Sequence, residues 1–490
     1  MDVTFGPDLA ERHFGAAELG DRRRTRRLVR TARHILGHPS GTLPQKMSHD
    51  WGEMMGLYRL VESDEVTHAA VLEPHRRRTR AAMADHPGVV LLIHDATELD
   101  YSHCAALRDQ LGQVGAGHGW GYIAHHVLAV TPQGEVLGLA HQALHKRRRV
   151  SKRETRSQTR AHPARESRLW VAGCEATGTP PPGSPATWVD VADRGSDTIE
   201  FLVHAHAHAH AHGHGHGRWY VIRSAKDRVL SGDDHLGDDR VHRYLHQYAR
   251  DLPELGRRQI DVSAQAGGQG KARRATVAVA AAPVTLAPNR WSRDALDARR
   301  IDTWVIRVAE VDPPPAAAAA GVEPLEWILL SNLPSAAAAG GATFEQAARC
   351  VDFYACRPMV EDYHKGQKTG MGIERLRFAH ADRLEPMIAL LSVTTALLMR
   401  LRQAARRADA QTTPARTVVP LIVVQVLAAK LFGQTRDDLS VREFLYGVAR
   451  LGGHLGRKHD GPPGWLTLWR GWNDLQLMVQ GVEALRRFSG

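Results

Sequence analysis

Two segments of this 490-residue chain set its architecture: GVVLLIHD (88–95) and ATWVDVAD (186–193). Each is a nearly unbroken apolar run closed by a carboxylate. A strand with one wet face alternates apolar and polar residues, whereas a strand covered on both faces does not. These two runs therefore predict the middle of a sheet with helices on either side. GYIAHHVLAV (121–130) and GEVLGLAHQAL (134–144) flank the turn sequence TPQG and predict a hairpin. ARESRLWVAGCEA (164–176) reads as a helix and RWYVIRSA (218–225) as another strand. The succession predicts an α/β fold with a mixed sheet over residues 81–225.

The remaining segments arrange themselves around that sheet. Residues 1–80 have a helical pattern, and 226–340 are β-rich, with RQIDVSA, RATVAVAAAPVTL, TWVIRVAEV and EWILLS as strands. Two alanine-rich stretches (313–321 and 335–341) read as loops. Residues 341–405 return to the core, and 406–490 form a helical tail. MIALLSVTTALLM (387–399) is shorter than the ~20 residues of a membrane span. VVPLIVVQVLAAKLF (418–432) is interrupted by Pro420, Gln425 and Lys430. Both predict buried helices. The N-terminus lacks a basic-then-apolar signal pattern, and the four cysteines form neither a disulfide framework nor a CxxC pair. The expectation is a cytoplasmic protein with no membrane partner.

Charge narrows the partners. The net charge is +11 with a pI near 9.7, which favours a polyanion, nucleic acid before membrane. Seven of the twelve residues in RRRTRRLVRTAR (22–33) are arginine and none is acidic. On a helix, Arg22, Arg26, Arg30 and Arg33 fall within roughly 80°, opposite Leu28, Val29, Ala32, Ile35 and Leu36. That is a basic stripe on an amphipathic helix, either a DNA-backbone contact or a solvated face. HKRRRVSKRETR (145–156) reads as either another DNA-backbone contact or a disordered basic loop. HAHAHAHAHGHGHG (204–217) could capture Zn²⁺ or Ni²⁺, or be an expanded repeat in a surface loop.

The chemistry centres on carboxylates. Asp95 and Asp193 close the two buried strands, and neighbouring strand ends lie close together in a sheet. A helix packed across that sheet would add Glu361. Three carboxylates at one point repel unless a divalent cation lies between them, and hard oxygen donors suit Mg²⁺ or Mn²⁺. Taken singly, each Asp also reads as a strand-end turn or helix N-cap. Glu361 lies in YACRPMVEDYHKGQK (354–368), where Tyr354, Arg357, Glu361 and Lys368 fall within roughly 60° of one another on a continuous helix. Pro358 lacks an amide donor, so a helix that starts there would leave Tyr354 and Arg357 in a preceding turn.

The spacing Y-x2-R-x3-E-x6-K resembles the signature of the DDE transposases of the IS-four family of bacterial insertion sequences. Further segments are similar in order: AELGDRRRTRRLV (17–29), HDATELDYSH (94–103), ADRGSD (192–197), PLEWILLS (324–331) and WLTLWRGWNDL (465–475). The resemblance implies a ribonuclease-H-like mixed sheet with a β-rich insertion between the second Asp and the Glu, a helical N-terminal DNA-binding domain and a helical C-terminal dimerisation region. It implies that Asp95, Asp193 (rather than Asp190 or Asp197) and Glu361 bind two Mg²⁺, with Mn²⁺ able to substitute. Tyr354, Arg357, Lys365 and Lys368 would contact DNA phosphates, with Arg22, Arg26 and Arg30 on the N-terminal domain, and Trp327 would stack on an extruded base. The implied partners are duplex DNA with terminal inverted repeats, target DNA, and a second copy of the chain in a synaptic dimer, in a bacterial cytoplasm at the nucleoid. A non-catalytic, dimerising inhibitor of transposition and a domesticated nuclease stand as alternatives.

Overall fold

The computed structural model describes residues 8–151, 153–155, 158–159, 162–210, 218–231, 244–262, 273–287, 300–313, 323–333, 343–405, 407–457 and 463–488. Five helices come first: α1 (Asp8–Phe14), α2 (Arg22–Gly37), α3 (Leu43–Lys46), α4 (Trp51–Val61) and α5 (His68–Ala84). The arginine-rich run starts α2, whose free amides are capped by Asp21, which accepts from the Arg23 N–H at 2.7 Å. Leu28, Val29, Ala32 and Ile35 are buried, and Arg22, Arg26, Arg30 and Arg33 are exposed, as their spacing predicts.

The described strands form one ten-stranded sheet. Its first half comprises β1 (Val89–Asp100), β2 (Gly112–Val114), β3 (Gly119–Val130), β4 (Val136–His145), β5 (Thr187–Ala192) and β6 (Arg218–Arg223). Strand β1 pairs antiparallel with β3 and parallel with β5, β3 continues to β4, and β5 pairs parallel with β6. Helices α6 (Leu169–Thr177) and α7 (Ile199–His210) make the parallel crossovers. The apolar runs are covered on both faces. Leu91 and Ile93 join the main core, and Val90 and Leu92 join a second cluster on the other side. After α8 (Leu245–Arg250), the β-rich segment supplies β7 (Gly256–Val262), β8 (Arg273–Leu286), β9 (Ile301–Glu310) and β10 (Glu326–Ser331). These strands extend the first half, because β10 pairs antiparallel with β6 and the order continues β10-β9-β8-β7.

Two sequence expectations change here. Asp95 does not end its strand: β1 runs on to Asp100 because β3 pairs with it as far as Asp100↔Gly121. The histidine tract does not begin in a loop, since α7 carries residues 204–210 before the described chain resumes at β6. Its remainder (211–217) and the two alanine-rich stretches lie outside the described residues, apart from Pro313.

Six helices close the chain: α9 (Phe344–Ala355), α10 (Pro358–Lys365), α11 (Ala381–Ala404), α12 (Leu421–Phe432), α13 (Val441–Leu451) and α14 (Trp465–Phe488). Helix α11 extends the run 387–399 to 24 residues, long and apolar enough to span a bilayer, yet 89% of its most apolar window is buried within the protein. It is the central core helix. Helix α12 is buried only along Val423, Val424, Leu427 and Ala428, while apolar Leu421 and Phe432 face solvent, so it is half-buried rather than fully buried.

Candidate active site

The parallel pairing of β1 and β5 ends at His94↔Ala192. The next residue on each strand is Asp95 and Asp193, so the register brings the two carboxylates level at the edge where the strands part. Asp95 is 8% exposed and accepts from the Ala96 amide at 2.9 Å. Asp193 caps a one-turn helix by accepting from the Gly195 amide at 2.9 Å. A side chain at 195 would meet the Trp170 ring of α6 at 2.6 Å, so glycine lets this turn pack tightly.

The signature is not carried by one helix. Helix α9 ends at Ala355, Cys356 caps it, and α10 restarts with Pro358 in its first turn, where a missing amide costs nothing. This break sets the position of each residue. Tyr354 lies in the last turn of α9, 5% exposed, with its ring edge against Trp327 at a centroid distance of 4.9 Å. Arg357 stands at the junction and reaches the carboxylates. Glu361 lies in the first turn of α10. Lys368 falls in a π-helical turn (Gly366–Gly370) and pairs with Glu374 at 3.3 Å. Lys365 is exposed at the end of α10, and Trp327 is half-buried on β10.

The guanidinium of Arg357 joins the trio. Its Nη2 donates to Asp95 Oδ2 at 3.0 Å and lies 3.6 Å from Asp193 Oδ2, while Nη1 pairs with Glu361 Oε1. Burial pushes the Asp95 carboxyl up to about 6; Arg357 pulls it down, and the neighbouring carboxylates of Asp193 and Glu361 add to the rise. Burial also works against the charge on Arg357, but Asp95, Glu361 and Asp193 outweigh it and raise its pKa. Burial raises the Tyr354 phenol, against the pull of Arg223 and Arg357.

Beneath Asp95 lies a polar network that spacing alone did not reveal. His126 is the β3 partner of Asp95, and its Nδ1 lies 3.1 Å from His364 Nε2, one turn after Glu361 on α10. His364 Nδ1 is in turn 3.9 Å from Asp95 Oδ2. Gln142 Nε2 is 2.8 Å from His126 Nε2 and donates to Ser392 of α11 at 2.8 Å, as does Gln367. Burial lowers the pKa of His364 to about 3, so the ring is neutral. The paired histidines in the otherwise apolar run YIAHHVLAV were the available signal.

The three aspartates of the second region part company. Asp197 accepts from the Ala225 and Lys226 amides, each at 2.8 Å, and pairs with Arg228. Asp190 takes Arg218 Nε and Nη2 at 2.6 Å each and His94 Nε2 at 2.8 Å. His94, Cys174 and Asp190 offer ligand atoms within 4.8 Å of one another, but Arg218 already donates to both oxygens of Asp190. Asp193 alone faces Arg357.

The N-terminal surface is separate. Glu53 of α4 is 5% exposed and pairs with Arg27 at 2.9 Å and with Arg30. Arg30 is thus a helix clamp as well as part of the stripe, whereas Arg22 and Arg26 project into solvent. In the second basic run, Arg147 pairs with Glu98 and Glu166, and Arg148 with Glu154.

Residues 7–66 match the family model described as transposase DNA-binding. This region is similar to the DNA-binding part of transposases. The match covers α1 to α4, including the whole arginine stripe, and supports DNA as a partner. A salt titration separates the stripe's two roles. Arg22→Ala and Arg26→Ala should each flatten the log K versus log salt plot by up to about 0.9. Arg30→Ala should also lower the melting temperature, because buried Glu53 loses a partner. Unchanged slopes would make the stripe a solvated face.

Proposed function

We propose that this chain is a cut-and-paste DDE transposase similar to the IS-four family, with a ribonuclease-H-like core. The observation that carries this reading is the meeting of Asp95, Asp193 and Glu361, from three distant segments, on the single guanidinium of Arg357. The core assignment is supported by the β4-β3-β1 antiparallel meander continued by parallel β5 and β6, and by β-rich strands running from the second Asp to the Glu. A purely DNA-binding inhibitor has no need for three converging carboxylates, whose mutual repulsion is costly.

The donor set fits a hard divalent cation: all the donors are oxygen, and one guanidinium stands against three carboxylates. Asp95, Asp193 and Glu361 would hold Mg²⁺, or Mn²⁺ in its place. A metal held by these residues would supply activation of a water or DNA hydroxyl and charge stabilisation at the leaving oxygen of the phosphodiester. Arg357, drawn off the carboxylates, can turn its fork to a phosphate oxygen. Further along the same segment, exposed Lys365 would meet backbone charge directly, and Lys368 would do so on leaving Glu374. The Tyr354 ring backs Trp327, so the indole is braced from one side and half open on the other. The substrates in this reading are duplexes with terminal inverted repeats, then target DNA, handled by a synaptic homodimer through a hairpin intermediate.

Incubating the protein with end-containing duplex and Mg²⁺, and resolving nicked, hairpin and joined products, tests the reading. No cleavage of any duplex by the folded, DNA-bound protein would sink it. Trp327→Ala refines it. As a base clamp, its loss should spare the nick and slow hairpin formation ten- to a hundredfold, from stacking of ~1–3 kcal/mol. Equal loss of both steps with a lowered melting temperature would make Trp327 a packing residue for Tyr354.

A further inference from the structure

A cavity of about 440 Å³ lies where the DNA-binding region meets the catalytic sheet. Arg12 and His13 of α1, Arg78 of α5 with Asp85 and His86 beyond it, and Arg400 of α11 line it. Three guanidinium groups thus come from three helices that are far apart in sequence. Arg78 and Arg400 make neither a hydrogen bond nor an ion pair with the described residues, although Asp85 lines the same cavity and Glu135 attracts Arg400 from the adjoining one. Elsewhere the described arginines commonly hold carboxylates, as Arg218, Arg228 and Arg357 do.

We propose that this cavity is a phosphate-binding site, in which the forks of Arg78 and Arg400, with Arg12, grip a doubly or singly charged phosphoryl group. The guanidinium fork matches phosphate oxygens with paired donors, and an anion would relieve the repulsion among three like charges. That repulsion reaches the neighbours. Burial first, then the neighbouring charges of Arg400 and Arg78, bring the His75 pKa down to about 3; burial, His75, Arg400 and Arg78 bring that of His13 down to about 2. Burial likewise lowers the pKa of Arg400, against Glu135 and with Arg12 and Arg78.

The position suggests what the site does. Pro87 lines the cavity and β1 begins at Val89, so Asp95 lies on the order of 20 Å along the strand. A duplex backbone covers that distance in about six base pairs. A phosphate held here would tie the DNA-binding helices to the catalytic sheet at a fixed separation from the carboxylates. This role rests on the transposase reading above; the anion site itself does not.

The test uses the full-length protein and the double substitution Arg78→Gln/Arg400→Gln, with Arg400→Glu as a second variant. Inorganic phosphate at millimolar concentration should raise the melting temperature of the wild type and leave both variants unmoved. The variants should melt no lower than the wild type in phosphate-free buffer, since no ion pair is lost. If DNA backbone is the occupant, the double variant should also flatten the log K versus log salt plot for duplex by one to two units. A phosphate-dependent shift without a change in slope would support the site with a free phosphate as its ligand. No phosphate shift in the wild type and no change in slope would overturn the proposal. A wild type that responds to phosphate but binds no duplex would keep the site and sink the transposase reading.

Discussion

Asp95→Asn should abolish Mg²⁺-dependent nicking, by about three orders of magnitude or more, while leaving duplex binding intact. In the proposed reading, Asp95 would be one ligand of a metal worth several kcal/mol of transition-state stabilisation, and its loss removes that ligand. The same substitution should make the metal-free protein more stable. Asp95 titrates near pH 6 in the fold against an ordinary value of 3.8. Between these values the folded chain keeps a proton that the unfolded chain has lost, so wild-type stability falls as pH rises through this window and stays lowered above it. Asparagine carries no such penalty, and the gain at neutral pH should be up to about 3 kcal/mol. Melting curves with and without Mg²⁺ at pH 4 and pH 7.5 check this. Mg²⁺ should stabilise the wild type and not the variant. Wild-type nicking by the variant would remove Asp95 from the site.

Arg218→Met should cost about 3–5 kcal/mol, enough to unfold much of the population, because it strands the Asp190 carboxylate in the core. Arg218 does more than neutralise Asp190. It donates to Thr177 Oγ1 at 2.8 Å, to Cys174 O at 2.7 Å and to the Gly178 carbonyl, which pins the end of α6 to β5 and β6. Burial works against the Asp190 charge, yet Arg218 and His94 more than offset it and hold the carboxyl well below its ordinary range. That stabilisation is complete above the unfolded pKa and is lost as pH falls below it, so it contributes fully at neutral pH. Adding Asp190→Asn to Arg218→Met should recover part of the loss in a urea titration. If Zn²⁺ restored the stability of Arg218→Met, the His94, Cys174 and Asp190 cluster would be a metal site after all.

Periodicity alone located the covered strands and the arginine-bearing helix. The unbroken runs at 88–95 and 186–193 are strands covered on both faces, and the stripe of Arg22, Arg26, Arg30 and Arg33 lies on the wet side of α2, because burial on one or both faces leaves its period in local sequence. The four strands of the β-rich segment were legible for the same reason. Their joining of the first half of the sheet was not, since strand pairing depends on partners far away in the chain.

The site divides in the same way. Residue type and spacing made Asp95, Asp193, Glu361 and Arg357 candidates, the family resemblance preferred Asp193 to Asp190 and Asp197, and Pro358 marked the break beside Arg357. Which of Asp190, Asp193 and Asp197 stays open to the cleft was decided by tertiary structure, through the distant Arg218 and Arg228 that occupy the other two. Tertiary structure alone also placed His126, His364, Gln142 and Ser392 beneath Asp95, and Arg78 beside Arg400. A buried polar side chain must find a partner, but its own sequence neighbourhood says only that it is buried. The partner's identity follows from strand register and helix packing, which the chain settles only when it is folded.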